Sequence, residues 1–272
     1  MIRGVTIIGT GRVGGAIAKR LHDRGVMVHA IAHRDFATWL GTHASVGQAL
    51  ILAVSDAAMS DVVRAIAAST RSLIDVVALH VNGSLRPYVL QPLTAMGATI
   101  ASAHPFQTFA TDDPTALDGI GWGVECTDDD WPLIDRLVQA TGGLPVRLTD
   151  MTDDRKRMYH AAAVAASNFT YAAYQLGRDL ADVVGIPADV MLPHIMQRTC
   201  SNAIAALQTD APFGMTGPIV RGDVEGVQRQ LDALPAEQRL IFAQLGLALV
   251  EVVTHRHSAT TIDAMRDVLR KR

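Results

Sequence analysis

The chain is poor in cysteine, in aromatic residues and in charge. Its two cysteines, Cys126 and Cys200, stand alone in 272 residues. Neither has a spacing that suits a metal, so no disulfide framework or zinc module is expected, and a reducing cytoplasmic setting is. Charged residues make up 19% and the formal net charge is −3. No basic face or acidic tail stands out, so a nucleic-acid partner is not expected. No apolar run reaches membrane-spanning length. The first one, Val5 to Ile8, is too short for a secretory leader and runs straight into glycines, so neither a membrane partner nor a targeting segment is expected. The ten histidines form no H-E-x-x-H cluster, and His255-Arg256-His257 reads as a solvated helix end. What the chain has in quantity is apolar residues, 49%, enough for a sizeable core.

The most informative segment is Gly9-Thr10-Gly11-Arg12-Val13-Gly14. It follows the strand-like run Val5-Thr6-Ile7-Ile8 and opens a helical pattern, Val13, Ala16, Ile17, Leu21, that Gly25 stops. In that context G-x-G-x-x-G is the dinucleotide-binding fingerprint. Gly9 permits a tight turn, Gly11 lets the backbone approach a pyrophosphate, and Gly14 lets helix and strand pack closely. The unpaired N–H groups of the first helical turn then face the phosphates.

Strands and helices alternate over residues 1–150, which predicts a doubly wound parallel sheet. Strands are expected at Val26 to Ala32, Ala49 to Val54, Asp75 to His80, Thr99 to Ala103, Gly121 to Glu125 and Leu144 to Leu148. The stretch Asp35 to Gly47 is poorly periodic and predicts a reduced unit. From Thr152 onward strand signals stop. One long helix is expected over Asp153 to Val184 and another over Ala188 to Leu207. A loop with Pro212, Gly214, Gly217 and Pro218 follows, then further helices from Asp223, after Pro235 and near Ser258. The reading is therefore an α/β domain, 1–150, followed by an all-α domain, 151–272.

Ligands of an open parallel sheet lie at the carboxyl ends of its strands. The second strand ends at His33-Arg34, where an acid would favour NAD. Arg34 instead suits the 2′-phosphate of NADP, or is simply a solvated loop arginine. The next strand ends at Val54-Ser55-Asp56, residues that line the cofactor, cap the following helix, or do both. His80 and His104 stand at two further strand ends, beside Asn82, Ser84 and Gln107. Each contacts substrate or nicotinamide, or is a structural histidine. The loop Pro105 to Gly119, with Asp112 and Asp113, is either functional or an irregular cover. On the first long helix His160, Val164, Ser167 and Tyr171 share a stripe, with Asn168 beside it; the stripe lines a cleft between domains or a dimer interface. Asp223 is an expected N-cap, and Arg221 binds a substrate carboxylate or serves a structural ion pair.

Four segments carry a resemblance. They are Gly9–Gly14, Leu79-His80-x-Asn82-Gly83-Ser84, His104-Pro105-Phe106-Gln107-Thr108-Phe109, and Thr216-Gly217-Pro218-x-x-Arg221-Gly222-Asp223. Together they resemble a bacterial family with a Rossmann-like domain and a C-terminal helical domain of unknown function, whose members are labelled NADP oxidoreductases of the deazaflavin-dependent type. The wider relatives are the 6-phosphogluconate dehydrogenase-like enzymes, among them ketopantoate reductase, pyrroline-5-carboxylate reductase, prephenate dehydrogenase and 3-hydroxyacid dehydrogenases. The resemblance implies NADP as cofactor and a homodimer formed through a 6-phosphogluconate-dehydrogenase-like helical domain. Several relatives place a catalytic lysine on the first long helix, with asparagine one or two turns later. Aligning the helices puts His160 at the lysine and Asn168 two turns on; Val164 stands where the intermediate asparagine would fall, and Lys156 is one turn too early. A histidine can supply the proton that a ketone or imine needs on receiving hydride. His104-Pro105 resembles the histidine-proline of prephenate dehydrogenases, where the histidine contacts substrate.

The expected activity is NADP(H)-dependent hydride transfer with a small carbonyl, imine or hydroxy compound, a 2-oxo acid being the most concrete case. His160, Asn168, His104 and Ser84 are the expected catalytic groups; Asn82, Gln107 and Arg221 the expected substrate contacts. The alternatives are a dinucleotide-binding sensor without turnover, and an enzyme like pyrroline-5-carboxylate reductase or prephenate dehydrogenase.

Overall fold

The computed structural model describes residues 2–42, 45–209 and 214–271. The chain divides into two compact units, Met1–Val164 and Ala165–Arg272.

In the first unit seven strands form one sheet. They are β1 (Val5–Ile8), β2 (Val28–Ile31), β3 (Ala49–Leu52), β4 (Val77–His80), β5 (Thr99–Pro105), β6 (Gly121–Glu125) and β7 (Leu144–Arg147), in the order β2-β1-β3-β4-β5-β6-β7. The helices between them are α1 (Arg12–Asp23), α2 (Phe36–Leu40), α3 (Asp56–Ala67) and α4 (Trp131–Ala140), with a 3-10 stretch at Pro87–Met96. The doubly wound layout is as expected, with one correction: β6 runs antiparallel to β5. The connection from Phe106 to Ile120 leaves and re-enters the same edge of the sheet, so no crossover forms. It is a cover laid over α1. Asp112 accepts from Lys19 at 2.6 Å, and Arg20 binds Asp118 and the Pro114 carbonyl at 2.6 and 2.8 Å.

The central strands are buried on both faces, which is why they read as unbroken apolar runs. Val5, Ile7, Ala49, Ile51, Val77 and Leu79 enter one core with α1 and α4. Leu50, Leu52 and Ala78 enter the other with α3 and the 3-10 stretch. Each fully buried aliphatic contributes ~1.5–3 kcal/mol. The reduced unit after β2 is the five-residue α2. It is held by Arg71, whose guanidinium lies 3.9 Å from the Trp39 ring centroid and donates to Thr42 Oγ1 at 2.8 Å.

A single helix, α5 (Asp153–Val183), passes from the first unit into the second. The second unit continues with α6 (Ala188–Thr209), α7 (Pro218–Arg221), α8 (Val224–Ala233), α9 (Ala236–Val253) and α10 (Ala259–Arg270). Its core joins Ile219, Val227, Leu231, Val250, Met265 and Leu269. Asp223 is the N-cap of α8, accepting the Gly226 N–H at 2.8 Å. The expected loop before it holds one helical turn, α7, while Pro212 lies outside the described residues. His257 is no solvated end: its Nε2 bonds the Val220 carbonyl at 3.0 Å. Among the described residues no helix is long and apolar enough to cross a membrane.

Candidate functional site

The site is built at the carboxyl ends of β1, β3, β4 and β5. Gly9 takes φ +99°, and a Cβ there would lie 2.4 Å from the Ala53 carbonyl oxygen. A Cβ on Gly14 would lie 1.9 Å from the Gly9 carbonyl oxygen, so α1 is pressed onto its own entry turn. Gly11 differs, because a Cβ there would meet nothing within 4 Å. The first turn of α1 carries no acidic residue and its N-cap, Gly11, offers no side chain. The positive helix end therefore faces open space, and Thr10 and Arg12 are exposed around it while Val13 is half-buried. These features fit a pyrophosphate. His33 and Arg34 form a 3-10 turn after β2, and Arg34 is 88% exposed on its side chain, 3.6 Å from Asp35.

Ser55 is exposed at the N-terminus of α3 and makes no side-chain cap. Asp56 reaches across to β4's end instead. It accepts from Asn82 Nδ2 at 2.5 Å and from Ser84 Oγ, while Asn82 also donates to the Val54 carbonyl at 3.1 Å. Burial opposes ionisation of Asp56, but the bonds from Ser84 and Asn82, then His160 and His80, leave its pKa below the ordinary carboxylate value. Asn82 Oδ1 is buried with no partner among the described residues.

His104 and His160 come together over Gly83. A Cβ on Gly83 would lie 2.5 Å from His160 Nδ1 and 2.9 Å from His104 Nε2, so no larger residue fits at 83. The two rings sit 6.1 Å apart, and His104 Nδ1 is 2.6 Å from the Tyr159 hydroxyl. His160 Nδ1 is buried without a partner among the described residues. The Phe106 ring lies tilted against Tyr159, centroids 5.8 Å apart, and both fill room left by the missing side chain at Gly123. Burial, then the charges of His160, Lys156 and His80, push His104 down to about 4. Burial, then Glu125, raises the Tyr159 phenol above its usual value. At neutral pH the pair is an uncharged imidazole and phenol. With the phenol donating to Nδ1, the imidazole proton sits on Nε2, facing Gly83.

His80 is fully buried, at 0% exposure, on a strand whose four residues are all buried, and its Nδ1 accepts the Asn82 N–H at 3.2 Å. Burial first, with Lys156 adding, lowers it to about 4. Gln107 is exposed and bonds within its own loop, to the Thr108 N–H and Ala116 carbonyl. Asn168 and Arg221 belong to the second unit; Asn168 accepts from Ser167 at 2.8 Å, and Arg221 is exposed at the end of α7. Sequence reasoning missed Tyr159, whose signal is its position next to His160, and Gly83, which the strand-end motif contains. It also set aside Lys156, whose Nζ is 2.8 Å from Glu125 Oε1 in the interior.

Residues 120–249 match the family model for a domain of unknown function, DUF2520. No curated protein matches the sequence. Among solved structures the chain is similar to BF3122 of Bacteroides fragilis, which is named as an NADP oxidoreductase, at 23% identity over 88% of this chain and 95% of that one, with a TM-score of 0.65. Protein TM1727 of Thermotoga maritima is 20% identical over 97% and 98% of the two chains, TM-score 0.63. A reductive aminase of Aspergillus terreus, in complex with NADPH and ethyl-5-oxohexanoate, is 16% identical over 99% and 93%, TM-score 0.58. The likeness is one of fold, a Rossmann-like sheet followed by a helical region.

His80 and His104 make a pH prediction. Both have folded values near 4, below the ordinary 6.5, so the unfolded chain takes up protons first as pH falls. Stability should be full above pH ~6.5 and fall by about 2 kcal/mol per histidine between pH 7 and pH 5. Urea unfolding at the two pH values measures the loss, and His80→Gln should flatten the slope by roughly half. An unchanged slope in that variant would show that carboxylates elsewhere set the dependence.

Proposed function

We propose that the chain is an NADP(H)-dependent oxidoreductase acting on a small carbonyl, imine or hydroxy compound. Residues 1–150 are its cofactor-binding domain and residues 151–272 its helical substrate and dimerisation domain. One sheet edge carries the reading. It holds the open phosphate turn at Gly9–Gly14 and, two strands over from β1, the imidazoles of His104 and His160 converging on Gly83. The names of two structural neighbours, an NADP oxidoreductase and a reductive aminase in complex with NADPH, agree with this cofactor.

When bound at the Gly9–Gly14 turn, the cofactor would supply the hydride that the substrate carbon gains. The protein's task is the proton and the alignment. His104, oriented by Tyr159, donates a hydrogen bond from Nε2 to the substrate oxygen or nitrogen, and His160 delivers the proton that this atom gains as the C–H bond forms. Asp56, fixed by Asn82 and Ser84, shapes the floor beside β4. NADPH oxidation should be assayed with 2-oxo acids, ketones and cyclic imines. His160→Gln and His104→Gln should each lower kcat by ~10²–10⁴ while leaving the NADPH dissociation constant unchanged. Tight NADPH binding with no turnover on any of these classes would instead mark a dinucleotide-binding module.

Arg34 should set the preference for NADP(H) over NAD(H). Its surface contact with Asp35 contributes at most ~1 kcal/mol, so the guanidinium is free to take a 2′-phosphate. A charge-assisted contact contributes ~1.5–3 kcal/mol, roughly tenfold to a hundredfold in affinity. Calorimetry on Arg34→Ala should show NADPH weakened by that factor and NADH unaffected; equal binding of both by the unmodified protein would remove the argument.

The helical unit should pair with a second copy. Along α5 and α6, Phe169, Tyr171, Val190, Ile204 and Leu207 are exposed, Tyr171 at 75% and Leu207 at 83%. Apolar faces of that extent are rare on monomers. Light scattering should give twice the chain mass of 29.1 kDa, and a mass equal to that of one chain would refute the dimer.

A further inference from the structure

Beneath the two imidazoles lies a buried ionic row. His80, Ser102 and Glu125 stand opposite one another on β4, β5 and β6. From α5, Lys156 enters this row with 0% exposure. Its Nζ donates to Glu125 Oε1 at 2.8 Å and to Ser102 Oγ at 3.4 Å, and Arg86 Nε donates to Glu125 Oε2 at 3.2 Å. At the margin Arg86 also approaches Asp153, 3.9 Å away, and Tyr88 donates to the same carboxylate at 3.2 Å.

A buried ion pair seldom stabilises more than apolar residues of the same volume, because desolvating the charges offsets their attraction. Bulk stability is therefore a poor account of this one, and its place on α5 suggests another. Lys156 lies one turn before Tyr159 and His160, on the segment of α5 that belongs to the sheet-containing unit. Through Glu125 and Ser102 the ammonium ties that turn to the sheet interior. Lys156 Nζ is also 5.1 Å from the Tyr159 ring centroid.

We propose that Lys156 is a positioning residue: its bond to Glu125 fixes the first turns of α5 against β5 and β6, and thereby holds Tyr159 on His104 Nδ1 and His160 over Gly83. It touches neither substrate nor cofactor. The bond acts on His104 in two ways, through the phenol that selects the imidazole tautomer and through a positive charge that disfavours a second one on the ring. The other titratable groups facing His104 are Tyr159, whose hydroxyl meets its Nδ1, and His160 and His80, with Glu125 behind them. The kinetic consequence rests on the function proposed above, but the placement does not, so the test is read without turnover.

Lys156→Met keeps the volume and leaves Glu125 bonded to Arg86 and Ser102, so no charge is orphaned. The readout is imidazole NMR of 15N-histidine-labelled full-length protein, with His104 assigned through His104→Gln. In the unmodified protein His104 should hold one neutral tautomer and titrate near 4. In Lys156→Met its midpoint should rise by about 1 pH unit and its two nitrogens should shift toward averaged tautomers. A folded Lys156→Met protein with an unchanged His104 tautomer and midpoint would overturn the assignment. If that variant does not fold, Lys156→Met with Glu125→Gln removes both charges and is judged by the same two outcomes. Failure of NADPH oxidation alone would bear on the proposed reaction and leave this result standing.

Discussion

An ammonium with no access to water must have a carboxylate beside it, and the place where this chain provides one organises the site. Lys156 meets Glu125 at the end of β6. Because β6 runs against β5, its last residue lies opposite Ser102, inside the sheet, and its first residues lie at the ligand edge beside Pro105. A parallel β6 would reverse that order and bring Glu125 to the edge. The reversal therefore puts the anchor in the interior and the side-chain-free positions, Gly121 and Gly123, at the edge, where Phe106 and Tyr159 need room. The reversal lets β5 and β6 join on one side of the sheet without a crossover, and the chain lays that connection over α1.

Much of the site is made by side chains that are missing. At Gly14 the absence lets α1 rest on the Gly9 carbonyl; at Gly83 it lets two imidazoles approach a strand end; at Gly123 it seats a phenol. Adding a methyl at such contacts forces backbone or ring to shift, at a typical cost of 1–3 kcal/mol. At Gly11, by contrast, the space stays open. Steric crowding at the first three positions and vacancy at the fourth separate glycines that build the scaffold from one that leaves room for a ligand.

The strand–turn–helix at residues 5–23 was legible because hydrophobic period, glycine spacing and helix stop agree locally. The long α5 was legible for the same reason, and the caps Asp223 and Ser258 follow from residue type. The interior position of His80 could have been found from the unbroken apolar run that it ends, since all four residues of β4 are buried. The partnership of Lys156 and Glu125 could not. It depends on the direction of β6, and a fifteen-residue connection with one 3-10 turn carries no periodic signal for that direction. The spacing along α5 sets Lys156 one turn before His160. It could not reveal that the turn faces the sheet.

The charge state of the site constrains what chemistry it can perform. His104 is held neutral by burial and by nearby cations, and Tyr159 is held as a phenol, so neither carries a loose proton at pH 7. A neutral imidazole is a weaker acid than imidazolium, but as a fixed hydrogen-bond donor it stabilises charge on an oxygen or nitrogen without first being charged. Of the two imidazoles at Gly83, His160 lacks the phenol partner and its Nδ1 has no partner among the described residues. The asymmetry separates the roles. In the reaction proposed above, the ring clamped by Tyr159 would polarise the reacting bond, and the ring left with an open nitrogen would exchange the proton with what binds over Gly83.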